Sequence, residues 1–478
     1  MKTLSLLCFS LLCCILTNAQ KPVKITGTII SGNPTEIEFQ YMNDNPISYL
    51  SDDYKGVFVN QNCTLQIPVK RLMNGQMQMG NYTQPVSFLP GDNIGIDIDG
   101  DSILFKGKGA NKNNFLQAVE KSEFNSDYIY KALCSDDLNL DTFAYQVNRF
   151  IDGRTQLLYN YQKTYQLEEA FNNYYLADIK YARYGAIESA KRFYCHKYKI
   201  DSDSVKWPQI YTEKYDLSLL NDHDTKYSIY NDYIASVVHE ISEIIRTQNN
   251  KISKDDAKFI AINDSLSGKT RSYAMAAQIQ SKLSESNYDQ KFIDAFYNLN
   301  NDEIASYEVA TAIKKYKTKQ SLLGQPLHSE MANAIVVDSA GVKSTFGEMM
   351  TQFKGKVVYL DIWSPYCGPC RMAMPHSKKL KSKLANKAIE FVYITVDGNN
   401  DKLWDTLYEV SQTKDNHYLF ENGFKSSLHN FMEIFWVPCY MIFDKDGKLA
   451  NYSAPRPTEV KDGEESDLER ELRSILNK

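Results

Sequence analysis

Cysteine is scarce. The 478 residues hold nine, and three of them, Cys8, Cys13 and Cys14, fall in the first twenty positions. The rest, Cys63, Cys134, Cys195, Cys367, Cys370 and Cys439, are too few for a disulfide-stapled scaffold, so the cores must hold by burial. Basic charge is not in excess either: 54 Lys and Arg stand against 59 Asp and Glu. That balance argues against nucleic acid as a partner, since no Lys/Arg stripe is present to neutralise phosphates. No run approaches the ~18 apolar residues of a membrane-spanning helix. No fixed-period repeat or low-complexity stretch marks a solenoid or a flexible linker. The seven histidines also miss metal spacing. His239-Glu240 would need a histidine at 243, where Glu243 stands, and the neighbours Asp222-His223-Asp224 would not share a helical face. No metal site is expected.

The opening residues read as a leader. Lys2 precedes an apolar run from Leu4 to Leu16, and Thr17-Asn18-Ala19 supplies small residues for a signal peptidase. A signal peptide over 1–19 predicts export, to the periplasm or outside the cell envelope. Cys14 invites lipid anchoring instead, but the small Gly, Ala or Ser residue that a lipobox places before the modified cysteine is missing.

Three segments follow. Residues 20–108 read as strand: Val23, Ile25 and Ile29, then Ile37, Phe39 and Tyr41, then Cys63, Leu65, Ile67 and Val69 alternate with period two between turn signals such as Pro90-Gly91-Asp92-Asn93. An antiparallel β domain is expected. Asp97, Asp99 and Asp101 lack the Gly and Glu of a calcium loop and read as a solvated strand face. Over 109–324 the period becomes helical. Ile229, Tyr233, Ile234, Val237, Val238, Ile241, Ile244 and Ile245 form one stripe, and 157–194 repeats the pattern with tyrosines. From 325 to 478 strand and helix alternate, as in an α/β domain: an apolar strand over 357–362, a helix over 369–384, a strand over 389–396, a helix over 401–410, a hairpin around Asp444-Lys445-Asp446-Gly447, and a charged terminal helix over 467–476.

The chemistry sits after the apolar strand, in Asp361-Ile362-Trp363-Ser364-Pro365-Tyr366-Cys367-Gly368-Pro369-Cys370. Residues three apart on a helix share a face, so two sulfurs at i and i+3 can meet. Cys367, at the helix start, faces unpaired N–H groups and the positive dipole end, which favour its thiolate and make it the expected nucleophile. Pro369 suits the first helical turn and stiffens the Gly368-Pro369 pair between the sulfurs. Cys370, one turn in, is the expected resolving thiol. Asp361, in an apolar run, would be desolvated, its pKa raised, and able to exchange a proton with that thiol. The plainer reading is a strand-end Asp that caps the loop.

These residues resemble the active site of the thioredoxin superfamily, specifically exported TlpA/ResA-like thiol-disulfide oxidoreductases. The resemblance matches Trp363, Cys367-Gly368-Pro369-Cys370, Asp361 and Pro375 to the family's tryptophan, redox motif, buried acid and helix-kinking proline. It matches Val437-Pro438 to its cis-proline loop. It implies a thioredoxin-like fold over 325–478, with Trp363, Tyr366, Val437 and Pro438 as substrate-contacting residues and no cofactor beyond the redox-active Cys367–Cys370 disulfide. Disulfide-bearing protein substrates and a membrane thiol-electron donor are the implied partners, in a role in cell redox homeostasis. The 20–108 segment resembles a β-rich domain that often precedes such domains.

Tyr366 departs from the usual tryptophan, Ala373 from an acidic residue, and Cys439 from a threonine. Cys439 could trap a mixed disulfide, join the dithiol in binding a soft metal, or simply start a strand. A lone C-x-x-C offers two of zinc's four ligands, and a four-residue loop stabilises by only ~2 kcal/mol as a structural staple. A binding or scaffold protein with a redox-inactive thioredoxin-like domain is the alternative. Substrate identity, direction of electron flow, oligomeric state and any pairing among Cys63, Cys134 and Cys195 stay open.

Overall fold

The computed structural model describes residues 21–478 apart from 33, 43–50, 81, 101, 136–137, 213–214, 399–402 and 461–463. The expected signal peptide, with Cys13 and Cys14, and also Asp101, lie outside the described residues. The chain divides into two compact units, one ending at Ala274 and one running from Met275 to Lys478.

Among its described residues the first unit holds eight strands: β1 (Val23–Ser31), β2 (Glu36–Met42), β3 (Ser51–Val57), β4 (Asn62–Ile67), β5 (Met73–Met79), β6 (Tyr82–Phe88), β7 (Asn93–Asp99) and β8 (Ser102–Lys108). They form two four-stranded sheets, β4-β1-β7-β8 and β3-β2-β5-β6. Ile25, Ile37, Phe39, Phe88, Ile96 and Phe105 share one core. Among the described residues the ladders of these sheets are antiparallel except that of β1 with β7, which is parallel. Asp97 is ion-paired to Lys106, and Asp99 accepts from Ser31.

Helix Ala110–Glu120 is laced onto these sheets by polar side chains. Asn113 accepts from Ser87 N (2.8 Å) and donates to Ser87 O (3.1 Å), and Gln117 donates to Ile103 O (2.9 Å). Lys112, with no exposed surface, pairs with buried Asp92 at 2.7 Å and with Glu168 at 3.2 Å. The tyrosine-rich run is two helices, Leu140–Gln162 and Glu169–Tyr198, interrupted at 163–168. In helix Ser228–Gln248 the buried stripe is Tyr230, Tyr233, Ile234, Val237, Val238 and Ser242. It is rotated from the expected face and leaves Ile244 exposed. Tyr230 explains the rotation, because its hydroxyl takes the Asn221 N–H at 2.8 Å and lies 3.1 Å from Thr270 Oγ1. Each such bond is worth ~1 kcal/mol when buried.

The second unit holds a seven-stranded sheet in the order β10-β9-β13-β12-β11-β14-β15. Its strands are β9 (Ile335–Val337), β10 (Lys343–Thr345), β11 (Val357–Trp363), β12 (Ile389–Thr395), β13 (His417–Phe420), β14 (Cys439–Phe443) and β15 (Leu449–Asn451). Strands β11, β12 and β13 run parallel, while β14 is antiparallel to both β11 and β15. This is the α/β, thioredoxin-like part of the chain. Every residue of β11 is buried, as a strand covered on both sides requires.

Alternation sorts the side chains of β11. Val358, Leu360 and Ile362 join one core with Met349, Met441 and Leu428, while Tyr359 and Trp363 join the other with Cys370, Met374, Leu468 and Leu472. Helix Glu303–Gln320 lies in this unit too, although the helical pattern in the sequence runs unbroken to 324. Lys315 pairs with Glu433 at 2.8 Å, Gln320 donates to the Tyr452 hydroxyl at 3.1 Å, and the Gly324 N–H reaches Leu449 O at 2.8 Å.

Candidate active site

Strand β11 delivers the loop of Ser364 to Tyr366. Buried Ser364 fastens the turn, its Oγ accepting the Tyr366 N–H at 3.1 Å and its carbonyl the Cys367 N–H at 3.1 Å. Cys367 is the N-cap of helix Gly368–Lys383, with Pro369 in the first turn and Pro375 inside. Cys367 and Cys370 are disulfide-bonded, their Cα atoms 5.2 Å apart. Cys367 is half-buried, with its Sγ 3.2 Å from the Cys370 N–H. Cys370 is fully buried. One sulfur is open to a visitor and the other is reachable only through it.

Asp361 stands on the same face of β11 as Tyr359 and Trp363 and is fully buried; in the ladder it faces Tyr440. Its Oδ1 has no hydrogen-bond partner among the described residues. Burial pushes its carboxyl up to about 8, and the Arg456 guanidinium opposes that rise. A carboxyl that titrates near a free thiol exchanges a proton with it at little cost in either direction.

The Val437–Pro438 peptide is cis, and the Val437 carbonyl oxygen lies 3.7 Å from Cys367 Sγ. Tyr366 is exposed beside Cys367. Trp363 is not on the rim. Its ring has no exposed surface, lies 6.0 Å from His417 between centroids and shares a core with Cys370, Leu468 and Leu472. It supports the loop from below, and the substrate contact expected of it is corrected accordingly.

Cys439 pairs with Ile362 in the ladder and joins that residue's core, on the sheet face opposite Asp361 and Cys370. Burial pushes its thiol up to about 12, with Lys319 opposing. It reads as the start of a strand, the plainest of its three readings.

Four residues at the site were not singled out from the sequence. Phe435 and Trp436 are both exposed immediately before Val437, and Met372 is exposed on the active-site helix. Two adjacent aromatics leading into a Val-Pro step break strand and helix periodicity alike, which was a usable signal. Arg456 donates to the Pro369 carbonyl; its place between Pro455 and Pro457, which stiffen the backbone on either side, was the corresponding signal.

A strand-loop-helix that ends in a dithiol, a buried acid beneath it and a cis-proline opposite define the C-terminal domain as thioredoxin-like, of the thiol-disulfide oxidoreductase class. Residues 355–449 match the family model described as Thioredoxin-like. The thiol-disulfide oxidoreductase ResA of Bacillus thuringiensis subsp. konkukian is 27% identical over 145 residues, which cover 29% of this chain and 75% of that protein. ResA of Bacillus cereus is 28% identical over 126 residues, covering 25% of this chain and 65% of the relative. A solved structure from Bacteroides vulgatus, described as a thiol-disulfide oxidoreductase, shares 27% identity and covers 32% of this chain and 97% of that one, with a TM-score of 0.26.

Proposed function

We propose that this chain is an exported thiol-disulfide oxidoreductase that reduces disulfides in protein substrates through Cys367 and Cys370. The observation that carries the reading is the asymmetry of the pair: an accessible sulfur at a helix N-terminus bonded to a buried one a turn inside. In the reduced enzyme the Cys367 thiolate attacks one sulfur of the substrate disulfide. A mixed disulfide forms, and the other substrate sulfur leaves as a thiolate. Asp361 in its ionised form accepts the Cys370 proton, the Cys370 thiolate attacks Cys367 Sγ, and the second substrate thiolate leaves. Two electrons pass to the substrate, and the enzyme is left oxidised. Re-reduction calls for an external dithiol donor, and a membrane-borne one suits an exported protein.

The rim supports a polypeptide substrate. Tyr366 before Cys367, Phe435 and Trp436 before Val437, and Met372 on the active-site helix are exposed apolar surface, and among the described residues no backbone hydrogen bond uses the Val437 N–H. An extended segment can place apolar side chains on this rim and its backbone against Val437.

Insulin-disulfide reduction tests the reading. The wild type should turn over and Cys367→Ser should not, while Cys370→Ser should accumulate a mixed disulfide because resolution is missing. An inactive wild type would instead support the scaffold alternative.

A further inference from the structure

The segment after β15 crosses the face of the sheet that carries Asp361. Its Ala454 N–H donates to the Tyr440 carbonyl at 3.0 Å, and its Pro455 carbonyl accepts from the Tyr359 hydroxyl at 3.0 Å. Its Arg456 guanidinium donates to the Pro369 carbonyl, between the two cysteines. Tyr359 and Tyr440 stack at 5.6 Å and flank Asp361, one two residues away on the same strand and the other opposite it in the ladder. Three successive residues therefore strap β14, β11 and the active-site helix together on the sheet face that carries Asp361.

We propose that Arg456 is a positioning residue of the dithiol centre: the strap holds its guanidinium at the first turn of the active-site helix, on the sheet side that carries Asp361, where its charge governs proton exchange at that carboxyl. Among the described residues, Arg456 is the charged group that acts on that carboxyl. Tyr359 on its own strand, Tyr440 and Cys439 on β14 and Tyr393 on β12 are all pushed above their ordinary range by burial and stay neutral between pH 5 and 9. In the oxidised protein Cys367 and Cys370 do not titrate. Desolvation holds the proton on Asp361, and Arg456 is the cation that opposes it. Arg456 itself is exposed, so it marks the junction between the buried acid and solvent.

The inference rests on Asp361 as the proton-exchanging acid, but its primary test needs no turnover. In the oxidised full-length chain labelled with carbon-13 at aspartate carboxyls, the Asp361 resonance is assigned by its loss in Asp361→Asn, and its midpoint is followed from pH 5 to 10. Arg456→Gln should raise proton affinity at least three-fold, and Arg456→Lys, which keeps the charge but loses the fork, should fall between it and wild type. Should Arg456→Gln fail to fold, wild type alone still decides: 1 M salt, which shortens the screening length to ~3 Å, should raise the midpoint because the guanidinium is exposed. A midpoint unmoved by salt and by either substitution overturns the inference.

Turnover then adds a second arm. The pH profile of insulin reduction should move to higher pH in Arg456→Gln, with no further movement when Asp361→Asn is already present. A movement that persists without the carboxyl also overturns the inference. A wild type that titrates as expected but reduces nothing would refute the proposed function and leave the role of Arg456 standing.

Discussion

Replacing Asp361 by Asn should stabilise the C-terminal unit at alkaline pH while damaging its chemistry. Below about pH 4 the carboxyl is protonated whether the chain is folded or not, and folding carries no ionisation penalty. Between about pH 4 and pH 8 the unfolded chain releases the proton and the folded chain keeps it, because burial lifts the pKa from 3.8 to about 8. Stability is therefore lost as pH rises, and the loss is complete once the folded carboxyl ionises as well. Each ten-fold in proton affinity is worth ~1.4 kcal/mol. The penalty at pH 7 is then about 4 kcal/mol, and its ceiling above pH 8 about 6 kcal/mol. Asn is nearly isosteric and uncharged, but it brings an amide into a site where one carboxyl oxygen already lacks a partner. That costs ~1–3 kcal/mol at every pH. The expected result is a variant slightly less stable than wild type at pH 4 and several kcal/mol more stable at pH 8. Urea unfolding of the oxidised full-length chain, read by hydrogen exchange in peptides from β11 at matched pH, measures the difference. A gap that does not change from pH 4 to pH 9 would show an ordinary, solvated aspartate, and the proton-exchange role would fall with it.

Lys112→Ala should cost the first unit ~3–5 kcal/mol, seen as a lower urea midpoint for peptides from β7 and β8, because it strands the buried Asp92 carboxylate. Trp436→Ser should raise KM for insulin several-fold and leave reduction of a small aromatic disulfide unchanged; equal loss on both substrates would remove the rim from substrate binding. Cys439→Ala should retain wild-type turnover and form no new mixed disulfides, which mass spectrometry of the trapped Cys370→Ser variant can check.

The dithiol centre was legible because its chemistry is local. Four residues from Cys367 to Cys370 fix both the helix start and the sulfur spacing, and the apolar run before them fixes the strand that buries Asp361. The terminal helix was legible to the residue, Asp467–Leu476, since its apolar stripe and its cap at Ser466 are both short-range signals. What stayed hidden depends on contacts distant in sequence. Arg456 meets Pro369 across 87 positions, and Tyr230 meets Thr270 across 40, so no window along the chain reveals either. Trp363 was misassigned for a related reason. Its place beside the motif was visible, but its burial depends on residues distant in sequence, Leu468 and Leu472 among them, that share its core.

The placement of Cys439 has a consequence for fidelity. A strand alternates its side chains, so one position in sequence separates a sulfur in the reactive compartment from a sulfur insulated by a whole β-sheet. Shifting the thiol from 439 to 440 would put it beside Asp361 and invite short-circuiting of the catalytic pair. At 439, opposite Ile362 in the ladder, the protein carries a sulfur next to its proline loop on the other side of the sheet from that carboxyl.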